Sequence, residues 1–321
     1  MANIKLCLLP PFLMVVALLP MWDNERGIAM QMLSFEPIAP FVIGNQSRFH
    51  ITIVGAGGTG SYIVQTVARL MAHANEKGSP KIDVTLVDGD TIEAKNIGRQ
   101  LFAPAEIGRN KAQSLATRFN QALGLKIQAI PTMIDQYSLP HVDRYQWHQS
   151  AALDKRPYSI VVGAVDNAEA RKVIHDGLAK YVFNLWIDSG NHEHGGQVLV
   201  GNCVAPHKLK GSFALEGMVQ SLPAPSLMAP SLITPPEPLP ESQQLDCATA
   251  MENNRQSLLI NQQMASIVGQ YLHQIIFTQR LTTFETIVDM STLTMRSTPI
   301  TVSNVAQCLG VTSAFLKGIN A

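Results

Sequence analysis

The sequence predicts an α/β protein built on a doubly wound, mainly parallel sheet, with an antiparallel extension toward the C-terminal end. Three observations predict it. A β-branched run passes directly into a glycine cluster and then into a helical apolar pattern, between residues 50 and 71. Strand and helix patterns then alternate over about 150 residues. Finally, a long helix with a wide apolar face is followed by a hairpin pattern, between residues 258 and 300. The 321 residues are 46% hydrophobic and 15% charged, a balance that supports a large core and is the reverse of a disordered chain. Lys and Arg number 24 against 24 Asp and Glu, so bulk basic charge does not drive any nucleic-acid binding.

Residues 1–48 read as an apolar extension preceding a main domain at 49–321. Leu6 to Leu19 is nearly continuously apolar, but Pro10-Pro11 interrupts it and no small-residue cleavage site follows, so a secretory leader is not expected. The run is also shorter than the roughly 18 apolar residues that a membrane-spanning helix needs, and one or two buried strands ending near Trp22 are the expectation. His50–Val54 reads as a strand, and Ile63, Val64, Val67, Leu70 and Met71 place a helix after the glycines. Ile82–Val87 is a second strand ending at Asp88-Gly89-Asp90, which completes a βαβ unit. A helix over 111–123, strands over 126–130 and 160–165, a helix over 171–183, and strands at 185–187 and 197–200 continue the alternation. Seven of the 19 prolines fall between Ser221 and Ser242, which predicts a long mobile surface loop. Leu258–Phe277 then reads as a helix packed on the sheet, and 284–288 with 293–300 as a closing hairpin.

A glycine turn between a strand and a helix lets a phosphate approach backbone N–H groups at the positive end of the helix dipole. Gly55, Gly57 and Gly60 fit G-x-G-x-x-G, with Gly58 in the same Rossmann-like turn. That pattern suits NAD, FAD or another nucleotide. No G-x-x-x-x-G-K-[ST] sequence is present, so any ATP is expected to rest on this turn. Asp88, at the end of the second strand, is placed to accept ribose hydroxyls, with Asp90 as the other candidate. Asn96, Arg99, Gln100 and Lys111 follow, residue types suited to phosphate and oxyanion charge; Arg99 and Lys111 taken singly also fit solvated surface charges. The cysteines at 7, 203, 247 and 308 form no C-x-x-C pair, which points away from structural zinc and disulfides and toward a reducing cytoplasm.

Taken in order, G-A-G-G-T-G (55–60), L-V-D-G-D (86–90), N-I-G-R-Q (96–100), G-R-N-K (108–111), V-D-N-A-E-A-R (165–171) and I-D-S-G…G-G-Q-V (187–198) resemble the ThiF/MoeB/E1-like activating-enzyme family. The resemblance is strong over about 51–200 and continues through D-C-A-T-A (246–250). Within that family the chain looks closest to the ThiF-like proteins of PRTRC gene systems, which accompany a ubiquitin-like protein and a JAB-type peptidase. The resemblance implies ATP-dependent adenylation of the C-terminal glycine of a ubiquitin-like or sulfur-carrier protein. It implies ribose binding by Asp88, phosphate binding by Asn96, Arg99 and Lys111, and Mg²⁺ binding by Asp166.

Asp166, after a strand, could equally cap the next helix. Arg171 is as suited to a structural ion pair. Cys247 could act as a nucleophile forming a thioester, or simply be a small buried apolar residue. His192-Glu193-His194 reads as a loop facing solvent or substrate. No R-Y-x-R-Q element precedes the glycine turn, which leaves a homodimer sharing its active sites as an open expectation, and the family's paired C-x-x-C zinc ligands are missing. An NAD(P)-dependent oxidoreductase and a non-catalytic scaffold for a ubiquitin-like protein are the competing readings.

Overall fold

The computed structural model describes residues 36–135, 139, 156–192, 194–235 and 258–319. The expectations for residues 1–35, Glu193, 236–242, Asp246 and Cys247 lie outside the described residues.

An eight-stranded sheet forms the centre, in the order β10-β9-β7-β6-β5-β2-β3-β4. Its parallel half comprises β2 (Arg48–Val54), β3 (Lys81–Val87), β4 (Gln128–Ile130), β5 (Tyr158–Gly163) and β6 (Leu185–Asn191). Its antiparallel half adds β7 (Gly195–Gly201), β9 (Thr283–Asp289) and β10 (Thr294–Pro299). A second, two-stranded sheet pairs β1 (Phe41–Val42) with β8 (Arg280–Leu281). Both halves match the fold class expected from the sequence.

The apolar runs of the parallel strands are continuous because both faces are covered. Ile51, Ile53, Ile160, Val162, Leu185 and Ile187 point into one core, with α1 (Gly58–Lys77), α2 (Lys111–Leu123) and α5 (Leu258–His273). Val54, Val161 and Trp186 point the other way, where Ile174 and Leu178 of α3 (Ala168–Ala179) and Ala224 cover them. Helices on both faces of one sheet constitute the doubly wound arrangement. Local signals set the ends: Asn110 and Asn167 cap α2 and α3 by accepting the N–H of Gln113 and Ala170, while α1 and α2 end at Gly78 and Gly124 in the left-handed region. On the outer side, Gly269 of α5 lies so close to Thr66 of α1 that any side chain there would collide with it.

One expectation needs correction. Residues 221–235 do not form a loose loop. They carry the short helix α4 (Pro225–Met228) and a 3₁₀ turn at Pro230–Leu232, and Leu222 and Ala224 are buried. Ala224 N–H donates to Cys203 O at 2.8 Å, and Gly201 leaves room for the Pro223 carbonyl. Prolines at the first helical positions start these turns without wasting a donor, so their density here marks a strap held across the sheet. The long helix is as expected: α5 runs to His273 and continues without a break into a five-residue π turn, Gln274–Thr278. The described part of the N-terminal extension is tied to the main domain, with Ala39 N–H donating to Ile300 O and Ile43 N–H to Gln279 O. Among the described residues, the C-terminal helices are α6 (Val302–Leu309) and α7 (Ser313–Lys317), and no helix is long and apolar enough to cross a membrane.

Candidate functional site

A cavity of about 920 Å³ opens at the C-terminal ends of β2, β3, β5 and β6, where open α/β sheets hold ligands. Its lining brings together Gly55, Gly57, Gly58, Asp88, Arg99, Gln100, Lys111 and Asp166. Those positions are spread over more than a hundred residues of sequence, and the parallel crossovers bring them to one edge.

The four glycines divide the work. Gly55 has φ +93°, and a Cβ there would stand 2.5 Å from Ala164 O. Gly57 is the N-cap of α1 with open space where a side chain would be, and no side chain caps the helix, so its first N–H groups face the cavity. At Gly58 a Cβ would stand 2.7 Å from Asn261 Nδ2. Gly60 does not line the cavity: it packs against the Gly55 carbonyl, and its role is to let the helix close on the turn.

Asp88 lies at the tip of β3. Its Oδ2 accepts the Ala56 N–H at 2.6 Å and its Oδ1 the Asp90 N–H at 2.8 Å, so the carboxylate is locked beside the glycine turn. Burial pushes its carboxyl above the usual carboxylate range, against the pull of those two N–H groups and of Lys111. Lys111 opens α2, and its Nζ meets Asp90 Oδ2 at 2.8 Å. Arg99 lines the cavity while its Nε donates to Lys95 O at 3.3 Å. Beside it the Gln100 Oε1 is buried with no hydrogen-bond partner among the described residues. Asp166, after β5, is exposed on the cavity wall, with no hydrogen bond or ion pair among the described residues. The neighbouring Asn167 takes the helix cap, which leaves the Asp166 carboxylate available.

Asn96 stands apart from that lining. It is buried and does not line the cavity; its Oδ1 accepts the Glu93 N–H at 2.8 Å, and its carbonyl accepts the N–H groups of Arg99 and Gln100. Asn96 thus shapes the turn that aims Arg99. Arg171 is the structural ion pair: its Nε reaches both Asp188 oxygens, at 3.2 and 3.1 Å. Burial pushes Asp188 up to about 6 even with that guanidinium beside it.

Sequence reasoning missed a polar knot on the cavity floor. Thr59 Oγ1 lies 3.1 Å from Asn191 Oδ1 and 3.0 Å from Asn261 Oδ1; Asn191 Nδ2 donates to Asn261 Oδ1 at 3.1 Å. Asn261 Nδ2 donates in turn to the Arg99 carbonyl at 3.4 Å. The signal was present: Asn261 falls on the same helical stripe as Met264 and Val268, and an amide there is fully buried. Met133, Ile134 and Val165 add apolar wall close to Asp88 and Gly89. The cysteines at 203 and 308 are not in the lining. Cys203 is buried, its Sγ 3.4 Å from Ala205 O, and burial pushes the Cys308 thiol up to about 11, so neither is a ready nucleophile. His192 and His194 are exposed beside the β6–β7 turn. Among the described residues no group of three or more His, Cys, Asp or Glu is arranged to hold a metal.

The chain is 31% identical over 166 residues to the NEDD8-activating enzyme E1 catalytic subunit of Dictyostelium discoideum, a match covering 50% of this chain and 32% of that protein. It is 31% identical over 133 residues to the tRNA threonylcarbamoyladenosine dehydratase of Haemophilus influenzae, covering 41% of this chain and 44% of that one. It therefore spans less than half the length of these curated relatives. Among solved structures, E. coli MccB with MccA-N7isoASN superposes with a TM-score of 0.51 at 16% identity, covering 82% of this chain and 67% of that chain, a likeness of fold. The ThiF family's sequence model matches residues 34–309, and the protein belongs to the ThiF family.

Proposed function

We propose that the protein is an adenylating enzyme, which uses ATP to activate the C-terminal glycine carboxylate of a ubiquitin-like or sulfur-carrier protein. The observation that carries the reading is the convergence on one cavity of the bare N-terminus of α1, Asp88, Arg99, Lys111 and an Asp166 that has no hydrogen bond or ion pair among the described residues. The names of the relatives support it, among them an E1 catalytic subunit and ubiquitin-like modifier-activating enzymes.

The residues fit the nucleotide. The bare backbone at Gly57 and the first N–H groups of α1 suit phosphate oxygens, Asp88 suits ribose hydroxyls, and Met133, Ile134 and Val165 offer an apolar slot for a base. An exposed carboxylate without a partner, at the mouth of a phosphate site, also fits a divalent cation that keeps several waters. Mg²⁺ held by Asp166 would supply charge neutralisation for the triphosphate oxygens. In the reaction a carboxylate oxygen bonds to the α-phosphorus while the α–β phosphoanhydride bond breaks and pyrophosphate leaves. Arg99 and Lys111 lower the repulsion between these anions and stabilise charge on the departing pyrophosphate. Lys111 can leave the half-exposed Asp90 to do so.

The zero formal charge favours a protein acceptor over an RNA one. A place in a PRTRC-type system beside a JAB-type peptidase, a cytoplasmic setting, a homodimer and thioester formation at Cys247 are the finer proposals, carried by the sequence resemblance. The test is ATP–pyrophosphate exchange with a panel of ubiquitin-like proteins ending in Gly-Gly. Exchange is expected, with near-complete loss in Asp166→Ala and Arg99→Ala and retention in Cys247→Ala. Exchange surviving in Asp166→Ala removes the metal assignment. Nicotinamide-dependent fluorescence quenching without ATP binding revives the oxidoreductase reading, and carrier binding without exchange the scaffold reading.

A further inference from the structure

Two neighbouring glycines of the turn are bare for different reasons. At Gly57 a side chain would meet nothing within 4 Å, so that backbone is open to a ligand. Gly58 opens α1 with a helical backbone that any residue can adopt, yet the place of its side chain is already taken. A Cβ there would stand 2.7 Å from Nδ2 of Asn261 and 3.0 Å from its Cγ and Oδ1. What fills the notch is an amide of α5.

Asn261 is 1% exposed, and both ends of its amide are engaged. Its Oδ1 accepts from Asn191 Nδ2 at 3.1 Å and lies 3.0 Å from the Thr59 hydroxyl in the first turn of α1. Asn191 reaches it because β6 outruns β5. Their pairing ends at Gly163↔Asp188, whereas β6 stays paired with β7 as far as Asn191↔Gly196, and the overhang Ser189–Asn191 borders the cavity. The Nδ2 of Asn261 donates to the Arg99 carbonyl at 3.4 Å, a long bond. A second tie lies two residues on: Ser61 Oγ accepts the Leu101 N–H at 3.1 Å and donates to the Gly58 carbonyl at 3.0 Å. The backbone of Arg99–Leu101 is thus fastened to the first turn of α1 through Asn261 at one end and Ser61 at the other. Arg99 and Gln100 line the cavity between the two ties. A buried network whose members satisfy one another holds one geometry, and a charged ligand is stabilised most by groups fixed before it arrives.

We propose that Asn261 is a positioning residue: seated on Gly58, it locks the Arg99–Leu101 segment to the N-terminus of α1, so that the guanidinium and the helix N–H groups meet one triphosphate in a fixed relation. The inference rests on the adenylation reading and adds to it the residue, outside the glycine and arginine motifs, that sets their spacing. Asn261 acts through the two turns and not through the adenosine. Its loss therefore falls on phosphate binding.

The probes are the α,β-methylene analogue of ATP and adenosine, each titrated by calorimetry into the full chain in magnesium buffer. Asn261→Leu keeps the bulk and deletes the amide; it is expected to weaken the analogue about tenfold and adenosine by less than about twofold. Ser61→Ala removes the second tie at a residue outside the cavity lining, and is expected to weaken the analogue alone, by about threefold. The sharpest measurement is a double-mutant cycle. Gly58→Ala pushes against Asn261 and is expected to weaken the analogue about tenfold, but by less than about twofold in an Asn261→Ala background, where the seat is vacant. If Gly58 is bare to admit a phosphate, the substitution costs the same in both backgrounds and the proposal falls. Equal loss of analogue and adenosine in Asn261→Leu, or analogue binding unchanged in Asn261→Leu or Ser61→Ala, also overturns it. Ser61→Ala deletes a single oxygen, which keeps the test conclusive if Asn261→Leu does not fold. Failure of the wild type to bind the analogue strikes the adenylation reading itself, so the two failures are distinguishable.

Discussion

Two of the cations that line the cavity, Lys111 and Arg171, are each held by an aspartate, but the two pairs live in different surroundings. Lys111 meets Asp90 at 2.8 Å with the two side chains 9% and 49% exposed, so the difference from the other pair lies in the aspartate. Arg171 meets Asp188 at 3.1 Å with the two side chains 9% and 1% exposed. Water can replace Lys111 at the half-exposed Asp90, so on the proposed function an arriving phosphate can draw the ammonium away. No water can replace Arg171 at Asp188, so that pair stays made and serves as a frame. On the proposed function, one end of the site exchanges partners when ATP binds, and the other only orients.

The comparison predicts a graded series. Asp188→Ala strands a buried guanidinium and is expected to destabilise the fold by about 3–5 kcal/mol in urea unfolding, whereas an equally small effect at both aspartates would break the contrast. Lys111→Met removes a charge-assisted contact of about 1.5–3 kcal/mol, so ATP affinity measured by calorimetry is expected to fall roughly ten- to hundredfold. The pH profile gives a subtler signature. Asp188 titrates at about 6, above its ordinary 3.8, so between those values the folded protein keeps a proton that the unfolded chain releases. Its contribution makes stability fall as pH rises from about 4 to 6 and then level off, and Asp188→Asn should remove that slope. Asp90→Asn is the mildest change. It is expected to alter stability by less than about 1 kcal/mol and to leave ATP affinity within a few-fold of the wild type, because water reaches the half-exposed Asp90 even though Lys111 is buried.

The same contrast explains what could be read in the sequence. The glycine turn and Asp88 were legible because strand, turn and carboxylate lie close in the chain and their spacing has a direct physical meaning. The doubly wound sheet was legible from alternating patterns alone. The Thr59–Asn191–Asn261 knot was not, since its members are brought together from three separate elements and no local pattern ties them. Asn96's place was not legible, because a short amide within a motif can serve a ligand or its own backbone, and it is the turn's hydrogen bonds that show it buried against the backbone. The prolines of 221–235 misled for a related reason: they stiffen a segment as readily as they interrupt one, and burial of Leu222 and Ala224 decides which.

One consequence follows from the unequal reach of β5 and β6. The hollow beside Ser189–Asn191 exists because one strand stops early, so its depth is set by residue count more than by residue type. Sequence drift along either strand can leave such a ledge intact so long as the apolar alternation survives. An insertion that lengthened β5 by a single turn of the pleat would fill it with backbone. In this protein the room for a guest is written in the lengths of neighbouring segments.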